Sequence, residues 1–246
     1  MGGLSHYIEE EGLATTQISL IREHTEITRP PRALWVPFEM GRPFGVPNNE
    51  KFQTKVLVAV LGLLEAGEGP LLVDFPEDAP ASEAPSILLA CPVSFASRED
   101  GRSLTSMMLN DFRDEISQMS SWYGISLTNS GRTTAGLSGL APTNIAEFLA
   151  AFIMGQREAS PILDVSISTA LRMTVEDLKA FYFEAVVAQP GHVSDSEAVA
   201  DWFWSQTTAA RVINAIREIC LGLKGNDYQL LGKLLLIPRS QLHRFI

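Results

Sequence analysis

The residues of this chain best suited to chemistry gather near its amino terminus. Arg32 stands between Pro31 and an apolar run, so its backbone is pinned while its guanidinium fork can hold a carboxylate through two hydrogen bonds. At the surface the same arginine would instead pair with Glu23 or Glu26. Arg22, Glu23 and His24 follow the first apolar run directly. A histidine at a strand end, with a pKa near neutrality, can serve as a general base, or it can be structural or exposed. Cys91 lies in an apolar run just before Pro92. A reactive thiol needs a helix amino terminus or a cation beside it. The nearest cation in sequence is Arg98, so a buried, inert Cys91 is the competing reading. His24 and Cys91 are thus the candidates for catalysis, and turnover itself stays open.

Further along, Gly41-Arg42-Pro43-Phe44-Gly45-Val46-Pro47 alternates residues that widen and fix backbone choice, which builds a rigid loop. It sits between a strand candidate and a helix candidate, where open α/β folds place ligands. Arg32, Gly41, Arg42 and Gly45 are therefore the expected substrate-binding set, and an ordinary strand-to-helix connection is the alternative. The hydroxyl- and glycine-rich run NSGRTTAGLSG (129–139) lacks the Gly-Lys-Ser/Thr of a phosphate loop. Arg132, Thr133 and Thr134 can still hold an anion, or form a plain helix connection.

Gly12, Thr15, Ile18, Arg32, Gly41, Pro43, Gly45 and Pro47 together form a pattern. Over roughly residues 5–66 it resembles the carboxy-terminal part of the B-component selenoproteins of the glycine, sarcosine, betaine and D-proline reductases. The resemblance implies a protein that handles amino-acid-derived carboxylates. The selenocysteine-bearing part of those enzymes lies upstream of the shared segment and has no counterpart here. Reductive C–N cleavage would then need a thiol or selenol from Cys91 or from a second protein subunit.

The elements that must position these residues follow from periodicity and punctuation. Strands are expected over 15–20 and 33–38, a helix capped by Asn48 or Asn49 running to about Ala66, and a strand over 71–75. The segment 76–85, rich in Pro, Ala and acid, reads as a linker or a surface loop. Beyond it a strand candidate at 87–93 precedes helices at 103–120, at 143–155, from Thr174 as a cap, and over 195–221 opened by Ser194 and Glu197. Trp202, Phe203 and Trp204 cannot all face one way on a helix, so at least one is expected outside the core stripe. The fold class expected is α/β, a small amino-terminal sheet with flanking helices (1–75) joined to a mainly helical part (86–246).

Composition bounds the partners. The net charge is −10, with 6 basic against 13 acidic side chains in residues 1–84, a balance that repels nucleic-acid backbones. No apolar run reaches the ~20 residues of a membrane span, and the first residues lack the pattern of a secretory signal. Cys91 and Cys220 have no CxxC spacing, and Cys220 falls on the apolar stripe Val212, Ile213, Ile216, Ile219. A reducing, cytoplasmic setting is expected, with no disulfide framework, no metal site and no cofactor named by any motif. The tail carries Lys224, Lys233, Arg239 and Arg244 around Asp227, a solvated helix end or a self-association surface that makes a homo-oligomer one expected form. Two functions stand side by side. One is a reductase-B-like protein binding a small carboxylate, with or without a catalytic second subunit; the other is a non-catalytic binding or assembly subunit, or a protein repurposed for biosynthesis.

Overall fold

The computed structural model describes residues 2–80, 103–189 and 196–245. Cys91, the strand candidate at 87–93, Ser194 and the second half of the 76–85 segment lie outside the described residues. The chain divides into two compact units, Met1–Glu83 and Ala84–Ile246. The fold is α/β, a small parallel sheet near the amino terminus followed by a mostly helical remainder.

In the first unit, α1 (Gly2–Glu10), β1 (Gln17–Ser19), α2 (Arg22–Thr28), β2 (Arg32–Trp35), α3 (Glu50–Gly62) and β3 (Leu71–Asp74) follow in order. The strands lie parallel in the order β1-β2-β3. Their register sets Ile18, Leu34 and Val73 in one row, and Ser19, Trp35 and Asp74 in a row on the opposite face. The first row packs on Val56 and Val60 of α3. Asn49 caps α3 by accepting the Phe52 N–H at 3.1 Å, as its position before an apolar period predicts. Neither α1 nor α2 is expected from periodicity. In α2 Arg22 and Glu26 pair one turn apart, and Arg29 ends the helix in the left-handed region.

The helical unit holds α4 (Leu104–Ser130), α5 (Pro142–Ile153), α6 (Ile167–Val187), α7 (Ser196–Gln206), α8 (Thr208–Gly222) and the short α9 (Asn226–Leu230). Phe112, Leu149, Phe152, Leu178, Phe181, Tyr182 and Ile213 form its core. Each large apolar side chain taken from water there contributes about 1.5–3 kcal/mol.

Three expectations are corrected here. Thr174 does not cap α6. Ser166 does, and the Thr174 hydroxyl, inside the helix, donates to the Ala170 carbonyl at 2.8 Å. The expected helix over 195–221 is two helices, because Thr207 leaves helical geometry and caps α8 through the Ala210 N–H at 3.1 Å. Trp202, Phe203 and Trp204 are all buried. Tyr182 and Phe183 meet them from α6, and Phe245 of the final turn, Arg239–Phe245, closes over Trp204 with ring centroids 6.2 Å apart.

Candidate functional site

Arg32 opens β2, and the Gly41–Pro47 loop follows the other end of the same strand, so the structure does not bring them together. Arg32 is buried, 8% exposed. Its Nη1 donates to Glu9 Oε1 at 2.7 Å, and its Nε and Nη2 both donate to the Ala66 carbonyl, at 3.1 and 2.8 Å. One arm of the guanidinium thus meets a carboxylate, that of Glu9 on α1, while the other two donors are taken by a backbone carbonyl. The backbone N–H of Thr15, and then its hydroxyl and Arg32, hold Glu9 below the usual carboxylate range. His24 lies exposed on α2.

The loop is two consecutive turns, closed by Arg42 N–H to Glu39 O and Gly45 N–H to Arg42 O, both at 2.9 Å. Gly45 has φ +80, and a Cβ there would stand 2.6 Å from the Phe52 ring. The loop is therefore pinned against α3, with the Arg42 guanidinium 3.4 Å from Glu39.

A different concavity in this unit carries more chemistry. Thr25, Glu26 and Arg29 of α2 and its end, with Pro30, face Pro70, Leu71 and Leu72 at the start of β3 across a groove of about 190 Å³. At the carboxyl end of β3, Arg22 donates to Asp74 at 3.2 Å, pairs with Glu26, and lies over the Trp35 ring at 6.0 Å. The Thr25 hydroxyl is tied to Ser19 and donates to the Ile21 carbonyl at 2.9 Å. Gly69 lets the chain pass the Pro31 carbonyl, where a Cβ would stand 2.5 Å away, and Leu71 N–H bonds the same carbonyl at 3.0 Å.

Arg29 differs from the other arginines of the unit. Its backbone is left-handed, φ 43 and ψ 57, a strained state for a side chain with a Cβ. Its guanidinium has no ion-pair or hydrogen-bond partner among the described residues, whereas Arg22, Arg32 and Arg42 each have a carboxylate. Sequence reasoning passed over Arg29 and Asp74. The signal was the position of Arg29 before Pro30, which disfavours a continuing helix and points the chain into a turn.

The helical unit does contain an anion-binding loop, filled by its own carboxylates. Thr134 N–H and both threonine hydroxyls reach Glu184 at 2.6–2.8 Å. Asp177 accepts the N–H groups of Gly136, Leu137 and Ser138 at 2.7–2.8 Å. Burial pushes the Asp177 carboxyl up, but these bonds and the Ser138 hydroxyl outweigh it and hold it below its usual range. Beside this loop lies a cavity of about 560 Å³ walled by Leu137, Phe183 and Trp204. Its lining Lys179 is already paired with Glu176 at 2.8 Å. Glu115 is likewise spent internally, on the Tyr182 hydroxyl and the first amides of α8. Cys220 is buried, and burial pushes its thiol up to about 11, only partly offset by the Arg157 charge. A thiol so rarely ionised is a poor nucleophile.

Among the described residues no group of three or more His, Cys, Asp or Glu side chains could hold a metal ion. No described helix is long and apolar enough to cross a membrane. Set beside family models, curated proteins and solved structures, the chain matches none of them.

Proposed function

We propose that the protein binds a small amino-acid-derived carboxylate in the groove between α2 and β3, with Arg29 taking the carboxylate and Glu26 attracting the positive end. The observation that carries this reading is the Arg29 guanidinium, without a partner among the described residues, on a groove that also holds the Glu26 carboxylate. Opposite charges at two points of one small cleft complement a zwitterion, and a guanidinium fork suits a carboxylate better than an ammonium does. The volume, about 190 Å³, lies below the ~300–1,000 Å³ of sites for drug-sized ligands, so a molecule of few heavy atoms fits. Glu26 is itself paired with Arg22, which also bonds Asp74, so the ligand's positive end would share the Glu26 carboxylate with Arg22.

The resemblance to the reductase B components agrees with this ligand class. On that reading the chain presents its ligand to a second subunit that supplies the thiol or selenol, in a reducing, cytoplasmic compartment where Cys220 stays a thiol. The chain's own part is to bind and orient. The test is calorimetric titration of the full chain with glycine, sarcosine, betaine and D-proline, with acetate as the ligand lacking a cation. At least one of the four should bind, more tightly than acetate, and Arg29→Lys should weaken it by ~1–3 kcal/mol. Loss of discrimination against acetate in Glu26→Gln would support the second contact. No binding by any of the four, or binding indifferent to Arg29→Ala, sinks the reading.

A further inference from the structure

We propose that the chain pairs with a second copy of itself through the outer face of α3, the two helices running antiparallel about a two-fold axis beside Val58. The helix is apolar on two sides. Phe52, Val56 and Val60 point into the first unit, and Val58, Leu61 and Leu57 project on the other side, 65%, 49% and 43% exposed. The carboxyl-terminal half of the helix is thus apolar on both sides, and among the described residues the sheet covers one of them.

Charge and shape select the occupant. The amino-terminal half of the outer face carries exposed Lys51 and Lys55, the latter paired with Glu77, and the chain after its carboxyl end carries exposed Glu65 and Glu68. Antiparallel pairing about Val58 brings Lys51 to the level of Glu65 of the second copy, and the reverse, so each contact is made twice. Parallel pairing would set like charges side by side. The same arrangement sets Thr54 opposite Gly62, where nothing stands within 4 Å of a Cβ position, so the two backbones can approach. The unit also has reason to associate. Among the described residues its core cluster has six fully buried side chains, Leu34, Val36, Phe38, Val56, Val60 and Phe75, with Ile18, Phe52 and Val73 partly buried against them, small for a unit of this length. One helix face is less than the ~800 Å² per partner of a standard interface, so the dimer is expected to be weak, on the order of 1–100 µM.

The inference does not rest on the carboxylate reading, and its experiment needs no ligand. Sedimentation equilibrium of the full chain from about 1 to 500 µM should show a monomer–dimer equilibrium in the range given. Val58→Asp, at a position already facing solvent, should leave the circular dichroism native and the chain monomeric. Lys51→Glu should weaken pairing at least tenfold, and Lys51→Glu with Glu65→Lys should restore it, a rescue that a folding defect would not produce. A chain monomeric at every concentration overturns the proposal, including the case in which a different protein covers this face. An oligomer indifferent to Val58→Asp and to the charge exchange overturns it as well.

Discussion

Single residues in the first unit divide into those that shape the backbone and those that keep a charge available. Gly41 and Gly45 both adopt left-handed φ, but only Gly45 has a ring pressed against it. Gly41→Ala should therefore lower stability by about 1–2 kcal/mol for the backbone alone. Gly45→Ala should lose about 1–3 kcal/mol more through the forced shift of Phe52. Equal losses in chemical denaturation would mean that the loop is not pinned by that ring. Arg32 belongs with the shaping residues. Arg32→Lys keeps a charge for Glu9 but removes the paired bonds to the Ala66 carbonyl, so a stability loss of ~1–2 kcal/mol is expected with ligand affinity unchanged. Weaker ligand binding in a variant of native stability would return Arg32 to the binding set and displace Arg29.

At the scale of elements, carboxylates organise the helical unit from inside. Asp177 on α6 gathers three consecutive amides of the 136–138 loop, and Glu115 on α4 caps the start of α8. The folded Asp177 is held below the unfolded aspartate value of about 3.9, so the unfolded state binds the extra proton. Its stabilisation is complete above that value and is lost as the pH falls through the folded pKa. Asp177→Asn should cost about 2–3 kcal/mol at neutral pH and flatten the decline of stability below pH ~4. An unchanged acid limb in urea titrations would show that other carboxylates carry it. These internal bonds also explain what was legible beforehand. The three strands of the first unit, the Asn49 cap and the main apolar stripes are written in local period, and lie within a few residues of where that period sets them. The start of α8 and the burial of Trp204 were not legible, because Glu115 reaches Thr208 from 93 positions away in sequence and Phe245 reaches Trp204 from 41. The loop at 129–139 connects two helices, and only packing reveals that its amides and hydroxyls are taken by Glu184 and Asp177 of the same unit.

For the whole molecule, the contrast between the small core described for the first unit and the extensive helical one makes the first unit the weaker part. A small parallel sheet with strands of three and four residues gains little from its own ladder, so whatever binds its folded form shifts its equilibrium measurably. Two binders are expected, a zwitterionic ligand in the α2–β3 groove and a second copy on α3, and they act on different faces. Mass action separates them. Pairing makes the melting temperature rise with protein concentration, by about 0.7 kcal/mol of apparent stability per chain for each tenfold increase once the dimer is populated. A ligand at the groove raises it with ligand concentration at fixed protein. Thermal melts of the full chain over a hundredfold range of protein, with and without the tightest of the four amino-acid probes, should therefore show two additive shifts. Val58→Asp should remove the first and keep the second, and Arg29→Ala should do the reverse. A melting temperature constant across that range counts against pairing through α3, while one that ignores every probe counts against the groove.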